Sequence, residues 1–458
     1  MATVGLSFGS ATSGTGFDVT NTVNSILAIQ SAIETPWKTQ LTTLQSQDTA
    51  LSTIGTDLST LTSSLQSLTD FTGVFSGKEG SSSNTNALAL TSADPTAVAG
   101  SHTIVVGALA TTASEYTDLV SDSTASLSGT IQIGSNAAIT VSAANGNNTL
   151  TSLAAAINSA DEGVTASVIN DATGSRLSLT AAAGGTAGQA AINGISSSLS
   201  YTTSSSSIPT TLNFNTGQTG VNGSLTVDGV SVSTSSNTVT GAIPGVTFQV
   251  LATGTSQIEI TNDNAAVESA VSAFVTAYNA VNTDVTTQEG KDSSGNAEPL
   301  YGNPTLSLIQ SQLSLGLVSG SASGSISNLS QLGITVNKDG SLSLDSSTLD
   351  TALNNNYADV TGFLQNSGSF GQTFATTLNN LGTQAPNGAV YLLQQQNTAQ
   401  EAALNTSISN EEASIATEKT SLTTELNQAN EILQSIPSQL NEINEIYSAF
   451  TGYVAQST

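Results

Sequence analysis

Few residue types in this sequence can do chemistry, and they are spaced like structural residues. Asp339 and Asp345 flank a short hairpin pattern, and Asp292, Asn296 and Glu298 share a loop. A glycoside hydrolase needs two carboxylates about 5–9.5 Å apart in a cleft. Turn and cap roles account for these residues more simply. Asn262-Asp263-Asn264 and the Asp292 loop carry oxygen ligands suited to Ca²⁺, but neither has the 12-residue spacing of an EF-hand. The single His, His102, lies in a β-type run and reads as a packed or surface residue. Trp37, just after Pro36, reads as a packing anchor rather than a sugar-stacking platform. Ala183-Gly-Gly-Thr-Ala-Gly188 lacks the Lys-Ser/Thr of a phosphate loop.

Composition narrows the field further. The 458 residues hold 6 Lys+Arg against 33 Asp+Glu, a net charge of −27, which argues against phosphate-mediated nucleic-acid binding. With no Cys there are no disulfides, thiolate nucleophiles or iron–sulfur ligands, and one His leaves no multi-His metal site and no ready Ser-His-Asp triad. The reading is therefore of a non-enzyme that needs no cofactor. No apolar run nears the ~18 residues of a membrane span. Met1 to Phe8 contains neither a basic residue nor an apolar core, so a Sec-type signal is not expected there. The hydroxyl- and amide-rich remainder suits a secreted or assembled structural protein, and the length suggests two to four domains.

The elements that position these residues divide into helical ends and a β middle. Asp18 can cap a helix that runs to about Asp70, with a break near Thr35-Pro36. Leu44, Leu51, Leu58 and Leu65 repeat every seven residues, with Ile54, Leu61 and Leu68 as the partner series. This is an a/d coiled-coil seam, although one amphipathic helix on a globular core would show the same spacing. From about Thr398 to Phe450, a second heptad runs through Ile408, Ile415, Leu422, Ala429, Ile436, Ile443 and Phe450, widened by Leu426, Ile432, Leu433, Leu440 and Ile446. Pro437 is expected to kink or restart this helix. Eight Glu between Glu401 and Glu445 face one Lys, Lys419, so hydrophobic contact must hold the seam. Ordering the ends costs more than the N-terminal seam residues return. They are expected to be loose in a monomer and to order against each other and against neighbouring subunits.

Between about Gly73 and Asn264 the runs are short and β-branched: Thr103–Val106, Thr130–Ile133, Ala138–Val141 and Val246–Val250. One helix, Thr149–Ser159, interrupts them, and the Ser-rich stretches at Ser81–Ser83 and Ser196–Ser207 read as loops or boundaries. A helix follows over Asn264–Gln288, then a hairpin of Ile334–Val336 and Leu342–Leu344 around Asn337-Lys-Asp-Gly340, with Asp345 capping the next helix. The expected class is α+β multidomain: a long helical coiled-coil stalk of N- and C-terminal segments with inserted antiparallel β domains. The expected boundaries are terminal helices over 1–40 and 420–458, a helical leg domain with a hairpin over 41–75 and 265–419, an inner β domain over 76–120 and 222–264, and an outer one over 121–221.

Five segments, in order, resemble the flagellar filament cap (flagellar hook-associated protein 2) family. They are Gly14–Val19 with the helix through Ile29 and Pro36; Ala97–Ala110; Leu150–Asn158 with Gly163–Val168 and Arg176–Leu179; Ser236–Phe248 with Phe274–Asn279; and Leu332–Asp345. The resemblance spans nearly the whole chain. It implies a homo-oligomeric ring, a pentamer by family resemblance, at the growing filament tip, extracellular and exported by the flagellar type III apparatus. It further implies contacts with flagellin, a hook–filament junction protein and a cytoplasmic export chaperone. The function implied is structural: promoting flagellin insertion and polymerisation and preventing flagellin loss, in support of motility. The Ser/Gly-rich stretch from Gly73 to Asn86 and Pro437 depart from the family pattern. A surface adhesin, binding glycans or host surfaces through the outer β domains, is the alternative reading.

Overall fold

The computed structural model describes residues 16–122 and 125–452. The readings on Met1–Phe8, on Gly14 and Thr15, and on the last six residues of the expected terminal segment lie outside them. By compactness the chain forms two units: residues 1–70 with 268–458, and residues 71–267.

Asp18 opens the first helix, α1 (Val19–Ser31), its carboxylate accepting from Asn21 N at 3.0 Å. The break comes at Ala32–Ile33, ahead of the expected Thr35-Pro36. Pro36 instead sits in the first turn of α2 (Glu34–Thr69), where a missing N–H breaks no helical bond. The outer face of α2 is largely Thr and Ser. Thr39, Thr42, Thr43, Thr49, Thr53, Thr56 and Thr60 donate their hydroxyls to carbonyls four residues back. Such residues favour helix only weakly, so the buried face must hold α2 in place.

The second unit is β-rich. Its elements are β1 (Lys78–Ser82), β2 (Leu88–Ala93), β3 (Gly100–Ala108), β4 (Ser114–Thr117), β5 (Ser126–Ile133), β6 (Ile139–Val141), α3 (Leu150–Ala160), β7 (Val164–Asp171), β8 (Gly174–Ala181), α4 (Gly185–Asn193), β9 (Ile195–Ser197), β10 (Ser200–Thr203), β11 (Ser206–Thr211), β12 (Phe214–Gln218), β13 (Gly223–Val227), β14 (Val230–Thr234), β15 (Thr238–Ile243), β16 (Val246–Val250) and β17 (Gly254–Asn262). Every strand pairing is antiparallel.

Two separate cores lie inside this unit. Around Phe248, the sheet β1-β17-β3-β13-β14 and the sheet β15-β16-β2 bury Leu88, Ile104, Leu225, Val246, Ile258 and Ile260. A second core joins β11-β10-β5-β6, with β9 also on β5, to β12-β4-β8-β7. There Leu153 and Ile157 of α3 and Ile192 of α4 meet Leu127, Ile131, Leu177 and Leu179. Strand β8 shows the alternation that builds such a layer: Arg176, Ser178 and Thr180 are half-exposed while Ser175, Leu177, Leu179 and Ala181 are buried. Thr149 and Ser152 cap α3 reciprocally, each hydroxyl accepting the other's backbone N–H at 3.1 and 3.0 Å.

Two expectations change here. Ser81–Ser83 and Ser196–Ser207 fall largely in strands, because β1 is an edge on β17, and β9 and β10 add to β5. Pairing to an existing sheet outweighs their weak local preference. Ala183–Gly188 leads into α4, an element without an apolar run to announce it. Gly188 allows the close contact with Ala181 and Ala183.

The chain returns to the helical unit through α5 (Asn264–Gln288), then α6 (Pro304–Leu317), β18 (Ile334–Val336), β19 (Leu342–Leu344), α7 (Ser346–Gln365), α8 (Phe370–Leu381) and α9 (Ala389–Thr451). Phe274, Phe363, Phe370 and Phe374 form its aromatic centre. Phe274 meets Phe374 edge-on at 5.9 Å, and Phe370 stacks on Phe374 at 5.5 Å. Asn279 straps the β18–β19 hairpin to α5. Its amide donates to Leu342 O at 2.8 Å, and its carbonyl oxygen accepts from Leu342 N at 2.7 Å. Asp345 caps α7 through Ser347 N at 3.0 Å. α9 is 63 residues long, about 95 Å at 1.5 Å per residue. It continues through Pro437 without the restart that the proline could have imposed. The proline removes one N–H, and its turn is half-exposed, so water can reach the freed carbonyl.

Candidate functional site

Among the described residues, the helical seam selected from the sequence separates into three stretches. The first is core. Leu51, Ile54, Leu58, Leu61 and Leu65 are 0% exposed, Leu68 is 2% and Leu44 is 6%. They line the buried face of α2, which packs on α7, α8 and α9. Gly55 lies against Thr383 and Val390, and Gln365 donates to Leu68 O and Asp70 O at 3.3 and 2.9 Å. These seven residues therefore belong to the buried face of α2, and Leu44 lies on the stretch between the Lys38–Glu412 and Asp48–Asn397 contacts, alongside the part of α9 that carries Ile408.

The second stretch pairs α1 with α9. Val19, Val23 and Leu27 are buried against Ile415, Leu422 and Leu426, with Phe17 at the end. Ile415 and Leu422 thus meet α1, within the N-terminal helical end expected to order against them, through Val19, Val23 and Leu27, which recur at four-residue spacing but were not singled out in the sequence. The pairing is antiparallel, and polar contacts fix its register. Phe17 N donates to Asn430 Oδ1 at 2.9 Å, Gln30 Nε2 to Glu418 Oε2 at 2.6 Å, and Asn397 Nδ2 to Asp48 Oδ1 at 2.8 Å. Lys38 Nζ bridges Glu34 at 2.6 Å and Glu412 at 3.1 Å. The Glu34 and Glu412 carboxylates hold the Lys38 ammonium above the usual lysine range. One cation thus neutralises two carboxylates at the crossing, a contact not expected from the charge count. Ile408 is 8% exposed and lies on the α9 stretch between the Glu412 and Asn397 contacts.

The third stretch has no such cover. Ile436 is half-buried, Ile432, Ile443 and Ile446 are 61–66% exposed, and Phe450 is 91% exposed. Leu440 and Tyr447 are exposed beside them, and Glu431, Glu442 and Glu445 are exposed along the same segment. These residues form an exposed apolar stripe at the end of a long helix.

The remaining candidates serve local structure. Asp339 accepts from Ser341 N and Oγ, Asp345 from Ser347 and Thr348, and Asp292 from Ser294 N and Asn296 N. These donors hold all three carboxyls below the usual carboxylate range. Asn262 accepts from Lys78 Nζ at 2.6 Å, and Asp263 caps the start of α5. His102 Nδ1 lies 2.7 Å from Asp228 Oδ2, and the carboxylate also accepts from Thr103 N. His102 thus secures the turn at Asp228. Trp37 is half-buried in the first turn of α2. A cavity of about 240 Å³ beside the hairpin is lined by Leu317, Val318, Leu329, Ile334, Val336 and Phe363, with Ser, Thr and Asn but no titratable group. Among the described residues, no three His, Cys, Asp or Glu are grouped to hold a metal ion, and no helix is long and apolar enough to cross a membrane.

Comparison with known proteins matches these parts of the chain. The family model for the flagellar hook-associated protein 2 C-terminus matches residues 220–448, and that for its N-terminus matches residues 15–113. A flagellin hook IN motif matches residues 126–183, which contain α3, β7 and β8. The B-type flagellar hook-associated protein 2 of Pseudomonas aeruginosa is 27% identical over 315 residues, covering 63% of this chain and 66% of that protein, just under two thirds of its length. The crystal structure of the D1-D2-D3 domains of the flagellar cap protein FliD from Escherichia coli superposes with a TM-score of 0.55 at 27% identity, covering 76% of this chain and 99% of that one.

Proposed function

The chain belongs to the flagellar hook-associated protein 2 family, and from that premise we propose that it caps the distal end of a bacterial flagellar filament. In this role it promotes insertion and polymerisation of exported flagellin and prevents its loss to the medium. The role is structural and needs no catalytic group. It places the protein outside the cell at the filament tip, after export through the flagellar type III apparatus with a cytoplasmic chaperone. It acts there as a homo-oligomeric ring, a pentamer by family resemblance, with flagellin and a hook–filament junction protein as partners.

The observation that carries the reading is the three-part seam. A rigid bundle around Leu51–Leu65 continues into a polar-latched α1–α9 pair and ends in an exposed apolar stripe. The stripe is the surface offered to the filament tip, and the α1–α9 pair is the part that orders and releases as each flagellin enters. Aspartates at Leu51 and Leu58 would abolish capping by dismantling the bundle, and leave the β-rich unit folded. The sharper variant is Ile443→Asp with Ile446→Asp, whose side chains are already exposed. It should keep both units folded and secreted yet release flagellin instead of building filaments. Normal filaments from that variant would refute the role of the stripe. No observation favours the adhesin reading.

A further inference from the structure

One helix of the helical unit is apolar on two sides. Leu306, Ile309, Leu313 and Leu317 of α6 are buried, and Gly316 lies directly against the Phe374 ring of α8. On the outer side, Leu308, Leu315 and Val318 are 46%, 59% and 80% exposed. With Ser311 they follow a three-four-three spacing, the pattern of a stripe that another helix covers. Val318 also lines the cavity beside the hairpin, where Val336 is 53% exposed, so the apolar surface continues onto β18. A helix apolar on both sides is covered on both sides in its working state.

Charge selects the occupant. From Pro299 to Asn337, the segment that holds α6 and β18, there is no Asp, Glu, Lys, Arg or His. A second copy of the chain brings the same net charge of −27, so two copies repel where their charged surfaces meet and approach closely only through uncharged faces. The outer face of α2 is such a face. Between Asp57 and Asp70 it carries no charge, and Ser59, Thr60 and Ser63 are exposed on it. Thr60 and Ser63 already donate their hydroxyl hydrogens to Thr56 O and Ser59 O, so covering them strands no donor. α2 and α6 both turn buried faces to α8, so their outer faces look away from each other. A surface that meets a different surface on the next copy repeats head to tail and closes into a ring when the rotation allows.

We propose that the outer face of α6, extended by Val336 of β18, docks on the outer face of α2 of a neighbouring copy of this chain, around Ser59–Ser63. The contact rests on the homo-oligomeric ring proposed above and supplies its joint within the helical unit. Leu315 is its centre, with Leu308 and Val318 one or two turns to either side.

The test uses the full chain, which has no Cys, so every introduced thiol is unique. Leu315→Cys and Thr60→Cys proteins are mixed and treated with a short bis-maleimide, with each protein alone as control. The mixture should give a covalent dimer of the two variants, and neither variant should cross-link with itself. Leu315→Asp, at a position exposed in the single chain, should keep the parent's tryptophan-reported unfolding and weaken self-association in sedimentation by about tenfold or more, because its carboxylate would be enclosed without a partner. If that variant loses the unfolding transition, Val318→Asp, more exposed still, is measured in its place. A parent that self-associates while the two thiol variants fail to cross-link, or whose association survives the aspartate, would overturn the contact, leave the ring standing and give the α6 face to another partner. Leu315→Cys cross-linked to itself would overturn the head-to-tail arrangement. A parent that stays monomeric at the highest concentration reached would overturn the contact and the ring together.

Discussion

Replacing Leu58 by Ala removes three carbons from a side chain with no solvent exposure, set between fully buried Ile54 and Leu61 on the inner face of α2. The transfer loss is about 2.4 kcal/mol at ~0.8 kcal/mol per carbon. α7, α8 and α9 all pack on α2, so the space cannot close by moving one helix, and a cavity term brings the loss to about 3–4 kcal/mol. The chain's single Trp, Trp37, lies in α2, so tryptophan fluorescence reports on the helical unit while circular dichroism reports on both units. With a urea dependence of ~2 kcal/mol per molar, the Trp37 transition should move down by about 1.5–2 M. The β-rich unit's transition should stay in place, because its two cores contain no residue of α2. Ile443→Ala, at the same heptad spacing but 61% exposed, should move neither transition by more than about 0.25 M, within the range of surface substitutions. A shift below ~0.3 M for Leu58→Ala, or equal shifts for the two variants, would refute the division of the seam into core and exposed stripe.

Other perturbations probe single contacts. Thr149→Ala removes half of the reciprocal cap on α3 and should lower the stability of the β-rich unit by about 1 kcal/mol, seen as faster amide exchange in α3. Gly371→Ala drives a methyl into the Leu364 carbonyl and Thr69, and should destabilise the helical unit by about 1–3 kcal/mol in the same fluorescence assay. Asp118, Asp171, Asp228, Asp292, Asp339, Asp345 and Asp359 are all held below the usual carboxylate range by the donors around them. Their unfolded forms bind protons first, so their contribution is present above about pH 4 and fades as pH falls below it, and melting temperature should drop from pH 4 to pH 2.5. An unchanged melting temperature would mean that these turns do not act on stability.

Helix existence was readable wherever apolar spacing was regular. α5 and the β18–β19 hairpin fall on the residues expected, since Val271, Phe274, Val281 and Val285 follow a helical face and Asn337–Gly340 carries turn chemistry. The candidate site was half legible. Leu44–Leu68 announced a buried face, but spacing alone cannot distinguish a bundle core from a coiled-coil seam, because both bury one stripe. The pairing of the two helical ends was expected, but its residues and register were not legible, since α1 offers only Val19, Val23 and Leu27 and the register is fixed by isolated amides and Lys38. Strands at Ser81–Ser82 and Ser196–Ser207 were hidden because their pairing comes from distant segments, Ile258–Glu259 for the first and β5 for the second.

The most direct measurement on the capping account is deletion of the gene from its host, followed by electron microscopy of the cell surface and assay of the medium for flagellin. The account predicts cells without filaments and monomeric flagellin in the medium, with filaments restored by the parent gene and not by the Ile443→Asp, Ile446→Asp variant. Normal filaments with unchanged flagellin secretion in the deletion strain would contradict it.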